Sequence, residues 1–350
     1  MPSTTVTSYN ILSAEQIDRQ QWSALLDNSR TATWFQSPEA YDFFASLHEM
    51  MTPFAFGLVR RQDQTEHLRA VCVGYITKEP NAVKQFFTRR TVIFGGPCLA
   101  DDCTSEECRT LTRAIRGFNE VLSIFIETRN FNDYSSWRSA FEAEGFAYQP
   151  HYDLHTDCTD RRLMTSRVAD STMRQVRKAL AEGVHIVEAQ TDEDIEAFYL
   201  LLSDLYRKKV RKPLFPLSFF TRFVRQGRGV LLLAKRPLPN EETEQRQDGV
   251  GKEEVIGGML CAILPARAIY EWYVVGTAVV TWAAMDYANN HGLHLFDLMG
   301  AGVPDIPYGV RDFKMRFGGQ LHEYGRFLHV NNRLLYALGK AFMRIIQLKK

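Results

Sequence analysis

The sequence predicts an α/β protein built from two copies of one unit, and three observations carry that prediction. Helical and extended segments alternate along the chain. Each half runs through the same order of two helices, an antiparallel hairpin, then a helix feeding a strand. The length of 350 residues also exceeds one average domain. The boundary is expected near Asp160, in the polar stretch TDCTDRRLMTS, giving domains of 1–160 and 161–350.

In the first half, SAEQIDRQQWSALLDNS reads as a helix entered through Ser13, with Trp22, Leu25 and Leu26 on its inner stripe. SPEAYDFFASLHEM is a second helix, with Ser37 as cap and Pro38 at the first helical position. PFAFGLVR and LRAVCVGYIT, separated by the polar RQDQTEH, form a hairpin pattern, and TVIFGGPCLA is a further strand. TSEECRTLTRAIRGFNEV carries a capping box from Thr104 to Glu107 and leads into the strand SIFIETRN. A short helix, YSSWRSAFEAEGF, and a strand, YQPHYDLHTD, complete this half.

The second half opens with the helix STMRQVRKALAEG, stopped by Gly183, and the strand VHIVEA. A long helix, DEDIEAFYLLLSDLYRKKVRK, closes before Pro213, and PLSFFTRFVRQGRG is another. VLLLAK and VIGGMLCAIL form a hairpin across RPLPNEETEQRQDGVGKEE, a charged, Pro- and Gly-punctuated surface insertion. AIYEWYVVG is a strand, and the helix TAVVTWAAMDYANNHG feeds the strand LHLFDLMG.

Composition sets the outer limits. Hydrophobic residues at 45% and charged residues at 24% are ordinary globular values. Lysine plus arginine (42) nearly cancel aspartate plus glutamate (41), so no global basic field holds a long nucleic acid, and a polyanion site must be local. MPSTTVTSYNIL lacks the pattern of a secretory signal, and the apolar region from Val255 to Ala284 is broken by Pro265, Arg267 and Glu271, which places the chain in the cytoplasm. Six cysteines in such a chain read as reduced thiols. Cys98, Cys103 and Cys108 lack the tight pair and fourth ligand of a structural zinc site. In HYDLH, His151, Asp153 and His155 share one face if extended; an exposed strand face is the expectation there, a metal the alternative, and no metal is assigned.

The run FDLMG followed by GVRDFKMRFGGQLHEYGRF resembles the Fem-type aminoacyltransferases that build peptidoglycan interpeptide bridges, most specifically at Phe313, Lys314, Phe317, Gly318 and Gly319. STMRQVRKALAEGVHIVEA is similar to the start of that family's second domain, and WFQSPEAYDFF to its first-domain opening. The resemblance implies tandem GNAT-like domains with mixed, largely antiparallel sheets flanked by helices. It also implies transfer of an aminoacyl or acyl group to an amine, with an aminoacyl-tRNA donor, a muramyl-peptide precursor as acceptor and no permanently bound cofactor. Where the family's opening motif continues to a phosphate-holding lysine, this chain has Phe44 and Ala45. Between YEWYVVG and TAVVTWAAMDYA it also lacks the arginine- or glutamine-led glycine loop that cradles pyrophosphate at a helix N-terminus, which reads against an acyl-CoA donor.

Aminolysis of an ester develops negative charge on the carbonyl oxygen, and Lys314 is the candidate to meet it. From spacing alone the same run is a short helix burying Phe313 and Phe317 and stopped by Gly318, with Lys314 solvated; the resemblance instead has the lysine projecting into a site. Asp297, closing a strand before Gly300, is a candidate to orient the amine or take its proton, against a plain turn role. Glu271 and Tyr273 are expected on one strand face as substrate-binding groups, with Arg311 in the same set. Arg207, Lys208, Lys209, Arg211 and Lys212, with Arg174 and Arg177, are phosphate-contact candidates or a solvated helix end. In the terminal helix, Leu334, Leu338, Phe342 and Ile345 line one face, for docking on its own domain or on the inner surface of a membrane. The rivals are an acyl-CoA-dependent enzyme acting on a small amine or amino-lipid, and a binding protein that has kept the fold and lost catalysis.

Overall fold

The computed structural model describes residues 8–62, 65–238 and 253–348, the side chains of 342–348 excepted. Most of the insertion expected between the second-half hairpin strands, and the Phe342 and Ile345 side chains, therefore lie outside the described residues. Among the described residues no helix is long and apolar enough to cross a membrane.

The chain opens with an unexpected strand, β1 (Ser8–Ser13), so Ser13 ends a strand; the first helix, α1 (Arg19–Asn28), is capped by Asp18, whose side chain accepts from the Gln21 amide. α2 (Pro38–Ala45) starts as expected, with Ser37 accepting from Ala40 N and Pro38 just inside. β2 (Met51–Gln62) and β3 (Thr65–Thr77) form the hairpin, and α3 (Ala82–Thr88) is a helix the sequence did not suggest. β4 (Thr91–Gly95) and β5 (Cys98–Leu99) precede α4 (Ser105–Asn119), where Thr104 and Glu107 complete the capping box. β6 (Phe125–Asn130), α5 (Arg138–Ala143) and β7 (Ala147–Gln149) follow.

The chain then builds a second unit. The segment YQPHYDLHTD is two strands in two sheets, β7 and β8 (Tyr152–Asp157), interrupted at Pro150, which has no N–H to donate to a ladder. The stretch expected to hold the boundary ends in a helix, α6 (Arg161–Arg167), capped by Asp160. α7 (Asp170–Ala181), β9 (His185–Glu188), α8 (Asp192–Leu205), α9 (Leu217–Arg225), β10 (Gly229–Pro237), β11 (Glu253–Leu264), β12 (Ala268–Val275), α10 (Ala278–Asn290), β13 (Leu295–Gly300), α11 (Gly309–Met315) and β14 (Gln320–Glu323) complete it. The chain finally returns to the first sheet with β15 (Arg326–Val330) and α12 (Arg333–Leu348).

The two units are Met1–His151 with Glu323–Lys350, and Tyr152–His322. This corrects the expected division at 160: β15 pairs antiparallel with both β6 and β7, so its backbone hydrogen bonds are made in the first sheet. The first sheet runs β1-β2-β3-β4-β6-β15-β7, with β5 on β3; the second runs β14-β8-β13-β12-β11-β10-β9. Both are mixed and largely antiparallel, each containing a parallel pair, β4 with β6 and β12 with β13. The second unit's core joins Leu154, Phe296, Leu298, Ile269 and Cys261 on one sheet face to Val176 of α7 and Val280, Ala284 and Met285 of α10. No disulfide joins the six cysteines; all are buried, and burial pushes the Cys108 and Cys158 thiols up to about 12. On α12, Leu335 is buried, whereas Leu334 and Leu338 of the expected stripe point to solvent.

Candidate active site

In the first unit the parallel pair β4 and β6 stays in register from Thr91↔Ile126 to Gly95↔Asn130. In the second unit β12 and β13 pair only from Ala268↔Leu295 to Tyr270↔Asp297 and then separate, although β12 runs on to Val275 and β13 to Gly300. The separation leaves carbonyl oxygens of β13 without a strand partner, and buried carbonyls need one. Lys314 supplies it. Its Nζ donates to Leu298 O, reaches Gly300 O at 3.5 Å and lies 2.9 Å from Glu271 Oε1. Lysine and glutamate are 6% and 7% exposed, so this is a buried ion pair held by further hydrogen bonds.

The motif around Lys314 explains its placement. Phe317 is fully buried and meets half-buried Phe313 edge-on at 5.3 Å, which fixes α11 against the core. Gly318 has φ +76°, and a Cβ there would lie 2.4 Å from that of Arg167; a Cβ on Gly319 would lie 2.0 Å from Leu154 Cδ2. The two glycines thus let the turn after α11 press onto β8 and the end of α6. The ammonium is held inward by these contacts, unlike the solvated lysine that spacing alone suggested.

Glu271 and Tyr273 do not share a face. A register shift puts Glu271 opposite Cys261 and Tyr273 opposite Leu260, with Trp272 as the extra residue, and neighbours on a strand point to opposite sides. Glu271 therefore reaches Lys314, while Tyr273 joins the rings of Phe219 and Phe220 on α9. Burial pushes the Glu271 carboxyl above its ordinary range, with Lys314 opposing the shift.

Asp297 belongs to another cluster. Phe296 and Leu298 on either side of it, and Leu154 between Asp153 and His155, all enter the helix-covered core, so the three polar side chains stand on the opposite face. Asp297 Oδ1 accepts from Met299 N at 2.6 Å, and Oδ2 lies 3.4 Å from His155 Nε2. Asp153 and His155 share a face as expected; His151 precedes the strand, and its Nε2 lies 3.0 Å from Arg326 Nη2 in the first unit.

No family model matches this sequence, and no curated protein does. Among solved structures, FemX aligns over 94% of this chain and 99% of its own at 15% identity with a TM-score of 0.68. A tandem GNAT protein from the clavulanic acid biosynthesis pathway aligns over 93% and 99% at 12% identity (TM-score 0.54). L-PGS from Bacillus licheniformis aligns over 92% and 96% at 10% identity (TM-score 0.53). The fold is that of FemX.

Within this FemX-like fold the remaining candidates have partners of their own or face solvent. Phe44 is buried among Trp34, Phe43 and Tyr75, a core position where a lysine head group has no water. Arg207 and Lys208 bind Asp204 at 2.6 and 2.8 Å, on a π turn, Tyr206–Val210, that extends α8. Lys209, Arg211 and Lys212 are exposed beside them, and Arg174 and Arg177 are exposed on α7. Arg311 donates to Val303 O at 3.1 Å and Ile306 O at 2.7 Å, bracing the loop before α11. The strand separation and the Trp272 bulge were the features that sequence reasoning missed; the run YEWYVV carries no glycine or proline to signal a bulge.

Proposed function

We propose that the chain is an N-acyltransferase, moving an aminoacyl or acyl group onto an amine, and that the reacting carbonyl sits where β12 and β13 separate. The observation that carries this reading is the buried Lys314–Glu271 pair at the open edge of two parallel strands. The amine nitrogen attacks the donor carbonyl, a C–N bond forms, and the tetrahedral intermediate carries negative charge on oxygen until the bond to the leaving group breaks. Lys314 is already fixed by β13 carbonyls, so its charge needs no reorganisation. Its longest contact, 3.5 Å to Gly300 O, is the one exchanged for the developing oxyanion. An attacking amine of ordinary pKa near 10.4 must also lose a proton. Glu271, with its carboxyl raised by burial, is the group we assign to accept it.

The donor we propose is an aminoacyl-tRNA and the acceptor a peptide-bearing cell-wall precursor. The Fem-type motif around Lys314 and the FemX fold support both. Mass spectrometry of the precursor after incubation with mixed aminoacyl-tRNA and acyl-CoA donors tests this. A mass gain equal to one aminoacyl group, dependent on charged tRNA, is expected. A gain from acyl-CoA alone reassigns the donor, and no amide product with any donor contradicts the reading. With Glu271 as proton acceptor, kcat/KM falls on the acid side at a pH above the ordinary glutamate value of 4.5, and Glu271→Gln removes that limb.

A further inference from the structure

The carboxylate and imidazole cluster on the other face of the second sheet is not used by the mechanism above. We propose that Asp153, His155 and Asp297 hold a first-row divalent metal ion of the Zn2+ class, with its remaining coordination position open to the adjoining cavity.

Three sets of observations support this. The first is geometry. His155 Nε2 lies 3.4 Å from Asp297 Oδ2 and 3.9 Å from Asp153 Oδ2, and all three ligand atoms fall within 4.8 Å of one another. Bonds of about 2.0–2.2 Å to one tetrahedral ion put its ligands roughly 3.3–3.6 Å apart, so the two separations from His155 need shifts of at most a few tenths of an ångström, and the carboxylates draw together from within 4.8 Å.

The second is the state of the carboxylates. Asp153 and Asp297 are 3% and 0% exposed, and the Oδ2 atom of each makes no hydrogen bond of good geometry, facing His155 Nε2 at 3.9 and 3.4 Å. Their other oxygens are engaged, Asp153 Oδ1 by Leu154 N at 3.0 Å and Asp297 Oδ1 by Met299 N at 2.6 Å. The backbone thus orients both carboxylates while leaving one lone-pair face of each toward the imidazole, which is how an outer shell prepares ligands for a metal. Two adjacent buried carboxylates repel, and a single imidazolium neutralises only one of them; a divalent ion neutralises both. Without such an ion, burial and then Asp297 push the Asp153 carboxyl up toward holding a proton, which is the competing occupant.

The third is access. A cavity of about 310 Å³ adjoins the cluster, lined by His155, His322, His294, Gln320, Asp157 and Arg167. The His322 ring stands 4.9 Å from that of His155 at the cavity wall, and water or an anionic oxygen from the cavity takes the fourth position. Two hard oxygens with one imidazole suit Zn2+, Co2+, Mn2+ or Fe2+, and not Cu(I), which favours sulfur.

The test uses the full chain, stripped with chelator and dialysed. Zn2+ binding is followed by titration calorimetry, and Co2+ by its visible absorption, which reports nitrogen and oxygen coordination. One ion per chain with submicromolar affinity is expected, weakened about 100-fold or more by Asp153→Asn and by His155→Gln, each checked for folding by circular dichroism. His185→Gln, at an exposed histidine paired with Glu253, leaves binding unchanged. Absence of stoichiometric binding by the unmodified chain overturns the proposal without reference to any variant. Equal binding by a folded Asp153→Asn chain also overturns it, leaving a proton shared within the cluster. These readouts need no acyl transfer, so the metal and the transferase readings fail separately.

Discussion

At the scale of single residues, the Lys314 motif is a packing device as much as a chemical one. Removing the lysine alone leaves Glu271 buried without its counter-charge and two β13 carbonyls without a donor, so Lys314→Ala is expected to destabilise the chain by about 3–5 kcal/mol. Loss of activity in that variant therefore says little about catalysis. The glycines behave differently: Gly319→Ala meets Leu154 in a packed core, and Gly318→Ala meets the Arg167 backbone at positive φ. Each is expected to lower stability by about 1–3 kcal/mol in denaturant titration, whereas Gly117→Ala, which meets nothing within 4 Å, leaves it unchanged or higher. The motif residues were legible because glycine, aromatic spacing and a basic group are local signals. The partners of Lys314 were not, since Leu298, Gly300 and Glu271 reach it through tertiary structure.

At the scale of elements, most helices could be read directly, because their caps are local chemistry: Ser37, Thr104, Thr191 and Thr277 each accept from an amide of the first turn. Sheet membership could not. YQPHYDLHTD alternates well enough for one strand, and only the tertiary structure shows that it serves two sheets. The return of β15 to the first sheet is equally nonlocal, and it creates a measurable electrostatic contact. Burial alone raises the Glu127 carboxyl on β6, but Arg129 and Arg326 of β15 outweigh it and hold the group at about 2. Because the folded value lies below the unfolded one, the stabilisation is present above pH 4.5 and is lost as pH falls toward 2. The shift corresponds to on the order of 3 kcal/mol. Glu127→Gln is therefore expected to melt several degrees lower at pH 7 and to approach the unmodified chain near pH 2. An equal difference at both values contradicts the ion-pair account.

At the scale of the whole molecule, the duplicated element order seen in the sequence corresponds to two sheets that each contain a parallel pair, and of β4–β6 and β12–β13 the second opens. That asymmetry is why we propose the second unit as the place of the chemistry. The most direct measurement is the rate of amide formation by Lys314→Met/Glu271→Gln, which removes both charges together and so avoids stranding either one. The account predicts a folded chain that loses less stability than Lys314→Ala, the β13 carbonyls being its remaining cost, while transfer falls by at least a hundredfold, the scale of about 3–4 kcal/mol for a lost oxyanion donor. Undiminished transfer by that folded double variant would contradict it.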